Sequence, residues 1–400
     1  MPAQRRRRLQ SRQHPCLQPE VPGEAPVNWK PLAAVLADSV THAGSRWRTP
    51  VAALPRHLFV PNWWAGEDGW SLRAGADTEE GWRAAAYTDT SLVTRVGTAH
   101  ADHAQPGDRP VGRPTSSATL PSLLVRMFQH ARFGDDDTLL DVGTGSGYGT
   151  ALACMRLGER RVSSIDVDAY LTEAAGQRLA EVGLHPRLHA LDASSELPDA
   201  YDRIVATVGV RPVPTSWLTA LKPGGRLVTT IAGTTLIVTA EKQADGTAGG
   251  RVEWDRAGFM DARHSADYHA LPVGLGDAAR TQEGEFVTAG RYPVVDVEQA
   301  WDLSSMLGIE VPGVVHGYEE DGERCTAWLA HPDGSWARAT SRDGGTPVIH
   351  QSGSRHLWDV LDKIRSYWLQ HGELPARGAH VLITPDGRTR LARGAWRATL

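Results

Sequence analysis

The stretch LLDVGTGSGYGT, residues 139–150, constrains this chain more than any other. A short apolar run of strand length meets glycines at 143, 145 and 147, and helix-forming residues follow. Glycines so spaced let the backbone turn sharply and let a ligand approach N–H groups that side chains would otherwise screen. Downstream the alternation continues, with TLLDVG, RVSSIDV, PRLHALDA, YDRIVATVG and GRLVTTIAG as apolar runs between helical stretches. It predicts an α/β fold, a parallel sheet with helices on both faces.

The spacing also restricts the ligand. A dinucleotide fingerprint reads G-x-G-x-x-G, and Tyr148 stands where its third glycine would fall. No Lys followed by Ser or Thr completes a phosphate-binding P-loop on this segment. S-adenosylmethionine, which carries adenosine without a pyrophosphate, is then the expected ligand of Gly143, Thr144, Gly145, Ser146, Gly147 and Tyr148, with Tyr148 at the pocket mouth. Asp166, followed by Val167, ends the next strand about 20 residues on, where a carboxylate takes both ribose hydroxyls. Asp192, followed by Ala193, ends the strand after that, in line with the adenine amino group. Either acid alone would serve equally as a helix cap. Both in register behind such a loop favour the ligand. Asp141 either organises the loop or reaches the ligand's amino-acid end.

Around this core the chain divides. Residues 1–27, rich in Arg, Gln and Pro, are expected to be a disordered arm, and Arg5–Arg8 lead into polar residues and prolines instead of the apolar segment of a secretory signal. Residues 28–118 read as an N-terminal cap, with an extended strap at AALPRHLFVPNWW and a long polar loop over 98–119. Residues 119–261 form the ligand-binding core. From 262 to 400 the alternation stops, and a separate α+β domain is expected. Its signals are Asp-Gly hairpins at HPDGSW and TPDGRT, and a helix carrying Leu357, Leu361, Ile364 and Trp368 with Ser354 and Gly372 as caps. Its tryptophans 328, 336, 358 and 368 suit either peptide recognition or packing.

A net charge of −5 and 41% apolar residues describe an ordinary soluble protein, with no general affinity for nucleic acid or anionic membrane. No apolar run approaches the roughly 20 residues of a membrane span. Three well-separated cysteines and sixteen histidines without ligand spacing give no reason to expect a disulfide or a metal, and a reducing cytoplasm is the simple compartment.

PRHLFVP (55–61), AYTDTSLVT (86–94), TLPSLLVRM (119–127), DVGTGSGY (141–148), YDRIVATVGV (201–210) and LKPGGRLV (221–228) occur here in the order found in the protein-L-isoaspartate O-methyltransferase family, which the region from about 30 to 235 resembles. The resemblance implies a Rossmann-like S-adenosylmethionine-dependent methyltransferase fold and methylation of an isoaspartyl or aspartyl carboxylate in a protein or peptide, the ester then closing to a succinimide. It also implies a hydroxyl between cofactor and substrate. By alignment through Pro121 and Arg126 that hydroxyl falls on Thr119, where the family usually has Ser, with Ser116 and Ser117 as neighbours. The longer layout resembles actinobacterial methyltransferases that accompany ribosomally made peptides of the graspetide and lanthipeptide type. A carboxylate with a pKa near 4 is already ionised at pH 7, so no general base is required and none is evident. The three hydroxyls would otherwise cap the helix starting near Pro121. The competing function is a methyltransferase-fold protein that binds a peptide without turning it over. A Rossmann oxidoreductase ranks third, because Tyr148 breaks its fingerprint.

Overall fold

The computed structural model describes residues 28–66, 69–75, 79–265, 268 and 274–400. The expected arm over 1–27 lies outside them. The cap begins with α1 (Lys30–Val40) and α2 (Arg48–Ala53), followed by β1 (Asn62–Gly66), β2 (Trp70–Ala74), α3 (Glu79–Ala86), β3 (Leu92–Val96), β4 (Ala99–His100) and β5 (Pro114–Ala118). The strap expected at 52–64 is instead a 3-10 turn over Arg56–Phe59 running into β1. The polar loop is partly ordered by sheet pairing, since β5 lies antiparallel to β3 with Arg95 opposite Ser116 and irregular register on either side of that pair.

The core follows as α4 (Pro121–Ala131), β6 (Leu139–Val142), α5 (Tyr148–Leu157), β7 (Val162–Asp166), α6 (Ala169–Glu181), β8 (Arg187–Ala190), β9 (Tyr201–Val210), α7 (Thr215–Ala220), β10 (Leu221–Ile231), β11 (Leu236–Lys242) and β12 (Ala248–Arg256). Helix α4 forms because Pro121 presets its first turn and its apolar face is buried, including Leu124, Met127 and Phe128. Helix α6 starts at Asp168, whose Oδ1 accepts the N–H groups of Tyr170 and Leu171. Strands β8, β7, β6, β9 and β10 are parallel in that order, so the sheet grows in both directions from β6. Such a reversal leaves a crevice at the carboxyl ends of the central strands. Here it opens beyond β6 and β7.

The last third contains α8 (Asp277–Thr281), β13 (Phe286–Ala289), α9 (Trp301–Glu310), β14 (Val315–Asp321), β15 (Arg324–Ala330), β16 (Trp336–Arg342), β17 (Val348–Ser352), α10 (Leu357–His371), β18 (His380–Ile383), β19 (Thr389–Arg393) and β20 (Trp396–Thr399). Both Asp-Gly hairpins form, as β15–β16 and β18–β19. The expected separation at 262 does not hold. Strands β13–β17 make their own antiparallel sheet, but β18 pairs with β12, so β18–β20 complete a ten-stranded sheet begun by the core. One apolar cluster joins Leu140, Ile204 and Trp217 of the core to Leu307, Trp358 and Leu361 of the last third. Helix α10 has His356 at its N-cap and no side-chain cap from Ser354; the Gln351 side-chain oxygen Oε1 accepts the Trp358 N–H instead. Trp328, Trp336 and Trp358 are buried, which makes them packing residues, while Trp368 is exposed.

Candidate active site

The glycine loop leaves β6 with Gly143, Gly145 and Gly147 all at positive φ. Such angles disfavour any side chain. At Gly143 a Cβ would also lie 2.8 Å from Thr207 Oγ1 of β9, and at Gly147 it would meet Ala175 of α6 at 3.0 Å. The first and third glycines are therefore required by neighbouring protein as well as by the turn. Gly145 faces the other way, toward Ser116 and Ser117 of β5.

Between these walls lies a cavity of about 270 Å³. The glycine loop, Asp141, Asp166, Val167 and Ala193 line one side, and Ser91, Ser116, Ser117 and Thr119 line the other. The structure thus brings together nearly all the residues singled out in the sequence. Asp166 is half-buried at the end of β7, its Oδ2 accepting the Gly145 N–H at 2.9 Å and its Oδ1 the Asp168 N–H at 3.0 Å. Burial pushes its carboxyl up, against those two N–H groups and the Arg263 charge. Asp141 turns inward. Its Oδ2 accepts the hydroxyls of Thr150 at 2.7 Å and Ser164 at 2.9 Å, and burial raises its pKa to about 6 despite them. Of its two possible roles, these contacts fit organising the loop.

Two residues sit differently from their expected placement. Tyr148 borders the cavity but does not stand at its mouth, because its ring is buried against Phe59 with the Arg56 guanidinium 5.5 Å above it. Asp192 does not line the cavity, although its neighbours Leu191 and Ala193 do. Its Oδ1 accepts the Ser194 N–H and hydroxyl, and its Oδ2 lies 2.9 Å from His264 Nδ1. Although burial opposes it, these partners hold the carboxyl below the usual range.

The hydroxyls do not cap α4. Its first turn is served from the turn before β3, where Ser91 Oγ accepts the Leu120 N–H at 3.0 Å and Asp89 Oδ1 the Ser122 N–H at 2.9 Å. Ser116 Oγ accepts the Thr94 hydroxyl at 3.0 Å, and among the described residues the Ser117 and Thr119 hydroxyls have no hydrogen bond. Those two remain available to a ligand.

Sequence reasoning missed two components. Arg56, completely buried, donates to the carbonyl oxygens of Ala86, Thr88, Thr90, Ala118 and Thr119, and so fixes the chain that carries the acceptor-side hydroxyls. Its signal was a lone charge inside the apolar PRHLFVP. The second is segment 257–263, in which Phe259, Met260, Asp261 and Arg263 wall the cavity. It is held over β9 by the Gly209 N–H donating to Met260 O and the Ala262 N–H to Gly209 O. Nothing periodic marks it.

The sheet order, the glycine loop and the acid at the end of β7 define a Rossmann-like methyltransferase fold. Residues 78–255 match the model of the protein-L-isoaspartate(D-aspartate) O-methyltransferase family. Protein-L-isoaspartate O-methyltransferases of Opitutus terrae and Thermococcus onnurineus are 30% and 33% identical over 197 and 134 residues. Those stretches are 48% and 32% of this chain and 65% and 58% of the relatives, so the chain spans about three fifths of their length. A solved protein-L-isoaspartate O-methyltransferase aligns over 93% of this chain and 99% of its own at 17% identity, with a TM-score of 0.47.

Proposed function

We propose that the chain transfers a methyl group from S-adenosylmethionine to an L-isoaspartyl or aspartyl carboxylate of a protein or a ribosomally made peptide. The observation that carries this reading is a pair of hydroxyls without a hydrogen bond among the described residues, Ser117 and Thr119, facing the glycine loop and Asp166 across one cavity. The donor set suits the cofactor. Asp166 keeps lone pairs for ribose hydroxyls beyond its two N–H contacts, and Val142, Ile165, Val167 and Leu191 offer an apolar bed. When bound, S-adenosylmethionine supplies an electrophilic sulfonium methyl.

The protein's part is positioning. An acceptor carboxylate is ionised at neutral pH, so no residue has to remove a proton. Thr119, with Ser117 and Ser116 beside it, donates hydrogen bonds that hold the carboxylate in line, while Leu123, Leu124 and Phe259 exclude water. Orientation of this kind is worth up to about 7–11 kcal/mol. The ester is then open to attack by the following backbone nitrogen, methanol leaves and a succinimide forms. Cys154 and Cys325 are free thiols, which fits a reducing cytoplasm.

The test is incubation with S-adenosylmethionine and matched isoaspartyl, aspartyl and asparaginyl peptides, read by mass spectrometry. One added methyl, or loss of one water after ring closure, is expected on a carboxylate peptide and none on the amide. Cofactor binding without turnover of any peptide or protein carboxylate would leave the peptide-binding alternative standing.

A further inference from the structure

The two walls of the cavity belong to different sheets, β7 to the core and β5 to the cap. Transfer between them depends on their separation. Buried side chains span it, Arg95 nearest the hydroxyls. Arg95 of β3 is 3% exposed, lies opposite Ser116 in the β3–β5 register, and sits where that register is irregular on both sides. Irregularities of this kind re-aim side chains. Its Nη1 donates to Thr115 Oγ1 at 3.0 Å and its Nε to His100 Nε2 at 3.1 Å, and Asp168 Oδ2 forms an ion pair with both, 3.2 Å from Arg95 Nε and 3.2 Å from His100 Nε2. Asp168 in turn starts α6 and gives its N–H to Asp166. Although burial pushes the Asp168 carboxyl up, His100 and Arg95 bring it down to about 2, so it is a carboxylate at neutral pH. A reciprocal contact lies alongside, where Asp102 of the cap accepts from Tyr170 OH at 3.0 Å and Arg178 Nη2 at 2.6 Å, both on α6.

We propose that Arg95 and Asp168 are a positioning pair that sets the Ser116–Thr119 hydroxyls against the cofactor side of the cavity through Thr115. The inference rests on the methyltransferase reading. A buried ion pair is a poor source of stability, since apolar residues of similar volume often do as well, but it has direction. Asp168 touches Asp166 through its backbone N–H, which a side-chain change leaves in place. Changing the pair therefore separates catalysis from cofactor affinity.

The experiment combines calorimetry with S-adenosylhomocysteine and steady-state methylation of the peptide or protein carboxylate that the wild type turns over. Asp168→Asn retains an oxygen to cap α6 but loses the charge facing Arg95. It is expected to keep cofactor-product affinity within about threefold while kcat falls about tenfold or more, the scale on which misplacement acts. Thr115→Val leaves the ion pair intact and serves if Asp168→Asn fails to fold; its kcat should fall several-fold, and Thr115→Ser should restore it. In combination, Asp168→Asn and Thr115→Val should cost little more than the worse of the two. Wild-type kcat in both variants, additive losses, or Thr115→Ser failing to rescue would overturn the inference while leaving the methyltransferase reading intact. A wild type that binds no S-adenosylhomocysteine would overturn the reading and the inference with it.

Discussion

At the level of single residues, Asp166 and the hydroxyls are separable by what they should do. Asp166→Ala should weaken S-adenosylmethionine binding by about 1–3 kcal/mol, from the loss of charge-assisted hydrogen bonds to ribose. Unchanged affinity in a calorimetric titration would make this carboxylate a loop-holder only, through its bond to Gly145. Thr119→Ala should leave cofactor affinity nearly normal and lower turnover, and if turnover is undiminished, Ser117→Ala should show the loss. Asp141 gives a pH signature. Its folded pKa of about 6 exceeds the ordinary carboxylate value, so the folded state favours the protonated form. The associated stability is present below about pH 4 and is lost as pH rises through 6, by up to about 3 kcal/mol. Urea unfolding of Asp141→Asn and wild type at pH 4 and 7 should therefore show the variant gaining on the wild type as pH rises. A constant difference between them would mean that the buried carboxyl does not titrate in this range. The places of Asp141 and Asp166 were legible in the sequence because each sits toward the end of a strand beside the glycine turn, where local pattern fixes position, whereas the hydroxyls entered only through the family resemblance. The orientation of the Asp192 carboxylate was not legible, because it is held by Ser194 and by His264, and His264 is 72 residues away.

Among the elements, what the sequence revealed follows contact range. The β6–loop–α5 unit is read from consecutive residues, and the Asp-Gly hairpins likewise. Strand β5 reads as loop in the sequence because its pairing with β3 depends on residues 18 to 26 positions away and its own sequence, Pro-Thr-Ser-Ser-Ala, carries no alternation of apolar residues. Arg56 escaped for the same reason. Its five carbonyl partners come from two separate stretches, 86–90 and 118–119, and only the folded chain assembles them. Arg56→Met should therefore destabilise the protein by about 3 kcal/mol or more, since several buried carbonyl groups lose a charged donor together. Chemical denaturation would report it. A change under about 1 kcal/mol would mean that water or a rearranged backbone replaces the guanidinium.

For the molecule as a whole, the continuous sheet alters what truncation can reveal. A chain ending near Ala262 would leave β12 as an unpaired edge and open the cluster shared with Trp358 and Leu361. Deleting residues 380–400 should thus be enough to cause aggregation or a large fall in melting temperature, whereas a melting temperature within a few degrees of wild type would mean that β18–β20 are dispensable to the core. The composition change at 262 is real in sequence, yet it marks a new sheet and not an independent unit, and no local pattern says that the chain will return to the first sheet at His380. The central claim is that the cavity joins a sulfonium methyl to a peptide or protein carboxylate. It is tested most directly by transfer of labelled methyl from S-adenosylmethionine to isoaspartyl and aspartyl peptides, and to peptides or proteins made by the source cell, followed by mild alkali. Label released as methanol, and reduced in Thr119→Ala, is the predicted result, because esters hydrolyse where N- and C-methyl groups do not. Label that stays attached through alkali, or no transfer to any carboxylate by a protein that binds the cofactor, would contradict it.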